Sequence, residues 1–147
     1  MEYLLVSSCF AGYQTKYNGK DNKLDVIEKL AKRYKIIYVC PEVAGGLSIP
    51  RNPSEILGNK VFSCEGVDVT SEYEKGAKTA LYLVKKYNIK KALLKESSPS
   101  CGSSLIYDGT FSKKKIKGMG ITVRLLNANG VKIYSENTVE ELLIEEW

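Results

Sequence analysis

Short apolar runs alternate with amphipathic segments along this chain, and that alternation constrains its fold more than any other feature. Tyr3–Ser8, Ile36–Val39, Lys91–Lys95 and Val131–Ser135 read as strands. Between them lie Leu24–Tyr34, a segment from Ser71 with Ala77, Ala80, Leu81, Val84 and Tyr87 on roughly one face, and Gly120–Ala128, all near helical spacing. Strands separated by helices imply a mostly parallel sheet covered on both faces, so the expected fold is a Rossmann-like, three-layer α/β/α domain. Ser71–Glu74 and Thr138–Glu141 match capping boxes, the second opening a helix expected to run to the C-terminus. Gly130 is a plausible left-handed cap after the Gly120–Ala128 helix. The polar stretch Ala11–Asn22 reads as loop. So does Pro41–Pro53, which holds three of the four prolines and Gly45-Gly46; a long loop of that kind in a compact domain is usually functional.

In an open α/β sheet the carboxyl ends of the strands share one edge, and ligands bind in the crevice there. Cys9, Cys40 and Cys101 each follow a predicted strand, so the fold can bring residues distant in sequence to one site. Three thiolates are soft ligands suited to iron–sulfur clusters or zinc, and three rather than four leave a coordination position open for chemistry. No Cys-x-x-Cys pair is present, and the spacing taken alone is equally compatible with small buried thiols.

The chain has 147 residues, the size of one domain spanning 1–147, with 44% hydrophobic and 27% charged residues, as in ordinary globular proteins. No apolar run approaches the ~20 residues needed to span a bilayer, and the N-terminal stretch lacks a basic leader. No membrane association is expected, and the expected setting is cytoplasmic, where cysteines stay reduced and serve metals or catalysis. The absence of histidine excludes a Ser-His-Asp triad, a Cys-His pair and any His-ligated zinc site. A net charge of +5 leans weakly toward anionic ligands.

Several blocks in fixed order carry more information than the thiols alone: Val6-Ser-Ser-Cys9-x-x-Gly12, Cys40-Pro-Glu42-Val-x-Gly-Gly-Leu47, Pro50-Arg-x-Pro-x-Glu55, Asp68-Val-Thr70, Ser98-Pro-Ser-Cys-Gly102 and Ile106-Tyr-Asp-Gly-Thr-Phe111. Together they resemble the DUF523 family, whose characterised members are thiouracil desulfidases. The resemblance runs from Val6 to about the penultimate helix. It implies a [4Fe-4S] cluster held by Cys9, Cys40 and Cys101, with one iron left open to the substrate's sulfur. It further implies a non-redox replacement of a thiocarbonyl by a carbonyl with release of sulfide, assisted by a glutamate and a serine that match Glu42 and Ser98. In a chain without histidine a carboxylate is the natural proton carrier. Ser97 and Ser100 are the fallback serines.

Where family members commonly continue into an aspartate before glycine, this chain has Tyr17-Asn18-Gly19. Cys64 matches no ligand block. The implied substrate is a thiolated pyrimidine, thiouracil or a thiouracil nucleotide; a tRNA is compatible with the chemistry but no feature supports it, and nothing fixes the oligomeric state. Lys113-Lys-Lys115 with Lys117 suits either a phosphate or a solvated face, and Tyr107 and Phe111 suit either a flat base or the core. Gly45, Gly46 and Gly102 are expected to permit turns near the site. Two other readings keep the same residues: a zinc-dependent hydrolase on the three cysteines, and a non-enzymatic, cluster-based sensor or binding module.

Overall fold

The structure, a computed structural model, describes residues 1–12, 18, 24–49 and 51–144. The chain begins with β1 (Glu2–Ser7), a 3-10 turn at Ser8–Ala11, α1 (Ile27–Ala31), β2 (Tyr34–Val39) and α2 (Pro41–Ala44). An antiparallel hairpin follows, β3 (Ser54–Leu57) and β4 (Lys60–Ser63), then α3 (Thr70–Tyr87) and β5 (Lys91–Leu93). A second hairpin, β6 (Leu105–Tyr107) and β7 (Lys115–Lys117), precedes α4 (Ile121–Ala128), β8 (Lys132–Tyr134) and α5 (Glu140–Ile144).

The central sheet is parallel throughout, in the order β2-β1-β5-β8. Because successive side chains on a strand face opposite sides, β1 divides its apolar residues between two cores. Leu4 and Val6 join Phe10, Ile27, Leu30, Leu93, Tyr134 and Leu142 on the α1/α5 face. Leu5 joins Ala80, Val84, Ala92, Leu94, Val123 and Leu126 on the α3/α4 face. These are the three layers expected from the alternation. A third cluster of Ile56, Val61, Val69, Tyr73 and Ile106 fastens the two hairpins to the start of α3. From β1 the chain first builds outward to β2 and then crosses back to β5, so the strand order reverses between β1 and β5. A crevice opens at such a point.

Several local expectations need correction. The segment Leu24–Tyr34 forms only the five-residue α1, because Tyr34 is buried in β2, opposite Glu2 of β1. Within Pro41–Pro53, Pro41–Ala44 is a single helical turn, with Cys40 as its N-cap and Pro41 pre-set for the first helical position. Neither capping box forms. Helix α3 starts at Thr70, whose N–H donates to Asp68 at 2.9 Å, while the Ser71 hydroxyl turns to Glu72. Thr138 Oγ1 accepts from Ser135 N–H at 3.0 Å instead of capping α5. Gly46 has φ of 99° and makes a turn as expected, but Gly45 (φ −77°) serves close packing instead. A Cβ on Gly45 would lie 1.9 Å from the Glu72 carbonyl oxygen, and one on Gly76 would lie 1.9 Å from that of Pro41, so α2 and α3 touch backbone to backbone. Gly102 is likewise a close approach, to the Leu105 and Ser98 carbonyl oxygens. Most of the Ala11–Asn22 loop, Tyr17 and Gly19, Pro50 and the C-terminal end of the last helix lie outside the described residues.

Candidate active site

At the carboxyl edge of the sheet a cleft of about 580 Å³ is lined by Cys9, Cys40 and Cys101 together with Glu42 and Ser98. That volume falls within the ~300–1,000 Å³ usual for small-molecule sites. Each thiol arrives by a different route. Cys9 lies in the 3-10 turn after β1, Cys40 directly follows β2, and Cys101 sits in the loop after β5, beyond the strand end expected for it. Cys9 and Cys101 are buried and Cys40 half-buried, and none of the four cysteines is in a disulfide. Burial pushes the Cys101 thiol up, and the negative charge of Glu42 and the neighbouring Cys40 and Cys9 add to the rise. A metal or cluster bound there takes cysteines as thiolates, so its loading releases protons.

The loop that carries Cys101 is folded around Glu96. Its carboxylate accepts from the N–H groups of Ser97, Ser103, Ser104 and Leu105 at 3.2, 2.9, 3.1 and 3.2 Å, and from the Ser103 and Ser104 hydroxyls at 2.7 and 3.2 Å. Burial alone would raise its pKa, but these donors outweigh it and bring Glu96 down to about 2. On the far side, the N–H groups of Ile121 and Thr122 at the start of α4 donate to the Pro99 and Ser100 carbonyls at 2.8 and 2.9 Å. The loop thus satisfies helix donors that have no partner within the helix.

Ser98 Oγ accepts from the N–H groups of Ser100 and Cys101 at 3.1 and 3.2 Å. With both lone pairs occupied, its remaining capacity is to donate its proton. Ser97, at φ of 65°, also lines the cleft. Ser100 does not serve as a fallback, being fully buried and bonded to Thr122 Oγ1 at 2.6 Å.

Glu42 projects from α2 and is held at both oxygens, by Arg51 Nη2 at 3.2 Å and by the Tyr73 hydroxyl, which donates to the other oxygen. Burial, with the adjacent Glu42 charge, raises the Tyr73 pKa, so the phenol keeps its proton and donates. Arg51, Tyr73 and Glu96 are the residues that sequence reasoning passed over. A signal existed for Arg51 in the Pro50-Arg51 block, but only the fold brings Tyr73 and Glu96 to the site.

The hairpin β6–β7 and the strand β3 form the rim. Tyr107, Phe111, Lys113 and Lys115 line the cleft rather than the core, whereas Lys117 is exposed on β7. Glu55 ties the hairpin tip down by accepting from Gly109 N–H at 3.0 Å and Phe111 N–H at 3.2 Å. Lys95 faces the cleft from the end of β5 and pairs with Glu136 at 2.5 Å. Cys64 is exposed and does not line the cleft.

Three thiols lining one cleft are the soft donor set that an iron–sulfur cluster takes. No helix among the described residues is long and apolar enough to cross a membrane.

Comparison with known proteins gives the same picture. The profile of the 2-thiouracil desulfurase family matches residues 4–138. The chain is 43% identical over 150 residues to the uncharacterized protein YbbK of Bacillus subtilis (strain 168), covering 95% of this chain and 99% of that one. It is also similar to the solved structure of the [4Fe-4S]-dependent thiouracil desulfidase TudS, at 40% identity and a TM-score of 0.94, with 98% of this chain and 97% of that chain covered.

Proposed function

Because this chain belongs to the 2-thiouracil desulfurase family, we propose that it is a [4Fe-4S]-dependent desulfidase acting through residues 1–147 as one domain. It replaces the sulfur of a thiolated pyrimidine by oxygen. The balance is a thiocarbonyl plus water giving a carbonyl plus hydrogen sulfide, with no net redox change. The observation that carries this reading is the meeting of Cys9, Cys40 and Cys101 in one cleft with Glu42 and Ser98.

Cys9, Cys40 and Cys101 would hold the cluster, which when bound would supply a Lewis acid for the soft thiocarbonyl sulfur. Glu42 takes a proton from the water that adds at the ring carbon and returns one toward the departing sulfur. Ser98, left only with a proton to donate, bonds the pyrimidine and holds the reacting carbon in place. Tyr107 and Phe111 at the rim supply flat faces for the heterocycle. Lys113 and Lys115 beside them support an anionic substituent, so a thiouracil nucleotide fits the cleft as well as the free base. A cytoplasmic setting suits this reading, because cysteines that serve a cluster rather than disulfides belong to a reducing compartment.

The deciding experiment incubates protein reconstituted without air with 2-thiouracil, 4-thiouracil and their nucleotides while sulfide is measured. Release from at least one of them is expected. No release from any would favour the sensor or binding reading.

A further inference from the structure

Glu42 sits on a helix of only four residues, too short to be stable by itself, and a glutamate side chain there has several rotamers open to it. In this fold its carboxylate is gripped at both ends. Arg51, with its side chain 7% exposed and tied by Nη1 to the Ser48 carbonyl at 3.2 Å, reaches Oε2 from the loop beyond α2. Tyr73, 1% exposed in the first turns of α3, reaches Oε1 from the opposite element. Behind this grip, Gly45 and Gly76 let α2 and α3 meet at backbone distance. Each bond occupies one lone pair of each carboxylate oxygen and leaves the other available.

From this arrangement we infer that Tyr73 and Arg51 are positioning residues, a two-point clamp that fixes Glu42 in the single orientation from which it exchanges protons with water and substrate in the cleft. The inference rests on the catalytic role proposed for Glu42. It differs from a packing role, because the Tyr73 ring already has a place in the cluster of Ile56, Val61, Val69 and Ile106, which a phenylalanine would keep.

The test compares Tyr73→Phe, Glu42→Gln and their double variant, all loaded with cluster. Tyr73→Phe is expected to lose at least tenfold in kcat while KM, iron per chain and melting temperature stay near wild type. Glu42→Gln should lose more, and the double variant should be no slower than Glu42→Gln alone, because a residue acting only through another adds nothing once that residue is gone. Arg51→Lys, which retains a donor for Oε2, should keep most of the turnover that Arg51→Met loses. A wild-type kcat in Tyr73→Phe alongside an impaired Glu42→Gln overturns the clamp and leaves the desulfidase reading intact, as do multiplicative losses in the double variant. A wild-type rate in Glu42→Gln removes the catalytic assignment and the clamp together.

Discussion

The carboxylate of Glu96 is surrounded by donors from Ser97, Ser103, Ser104 and Leu105, whereas that of Glu42 meets one arginine and one phenol at the edge of the cleft. One is saturated and structural; the other keeps lone pairs for chemistry. Since Glu96 is held near 2, below its ordinary value of 4.5, its stabilising effect is complete above about pH 4.5 and disappears as pH falls toward 2. Glu96→Gln should therefore lower the melting temperature at pH 7, and the gap from wild type should narrow across that acidic window; a gap independent of pH would contradict the assignment. Glu42→Ala should instead retain iron and lose roughly 10²-fold in turnover, the usual scale for a general acid/base, as read in a sulfide assay. Among the thiols, Cys9→Ser, Cys40→Ser and Cys101→Ser should each lose iron and activity, while Cys64→Ser keeps both. Full iron in all three single variants would remove the ligand set. The residue types of this site were readable from the sequence because their motifs are local: Cys40-Pro41-Glu42 and Ser98-Pro-Ser-Cys101 keep their order within one turn or loop. Tyr73 lay beyond such reading, since 31 positions separate it from Glu42 and only the α2–α3 contact joins them.

At the scale of elements, the long periodic segments were legible and the short ones were not. Helix α3 spans 18 residues with Tyr73, Ala77, Ala80 and Val84 buried, enough turns for a face to emerge. Helix α2 has one turn, no room for a period, and only its N-terminal proline as a cue. Hairpin β3–β4 did carry a signal, Gly58-Asn59 between Leu57 and Lys60, a pair suited to a tight two-residue turn. Its neighbour β6–β7 offered less, because its strands are three residues each and held by Glu55 from outside. The junction of α2 with α3 depends on glycines rather than on side-chain interlocking. Gly76→Ala should destabilise the fold by about 1–3 kcal/mol, the range for overpacking, and should also reduce iron retention, because the displaced α2 follows directly on Cys40. Thermal melts and iron analysis against Lys78→Ala, an exposed position on the same helix, check both effects. Unchanged stability with full iron would mean that α2 is not seated by this contact.

On the scale of the whole molecule, the alternation of strands and helices specified a parallel sheet, and the sheet specified where a ligand goes. The strand order β2-β1-β5-β8 could not be read from the chain, since β1 pairs both with β2, its nearest parallel partner in sequence, and with the more distant β5. That order is what gathers the ends of β1, β2 and β5 around one crevice. The hairpins and the Glu96-centred loop then wall it, so the cleft is a product of the complete fold. If three cysteines at this edge hold a cluster on which desulfurisation depends, activity must follow the cluster. The most direct measurement is therefore the rate of sulfide release from a thiopyrimidine as iron and sulfide are restored to stripped protein under anaerobic conditions. The rate should rise in proportion to cluster content and level off near about four iron per chain. Turnover by iron-free protein, or none from fully loaded protein with any thiopyrimidine, would contradict the account.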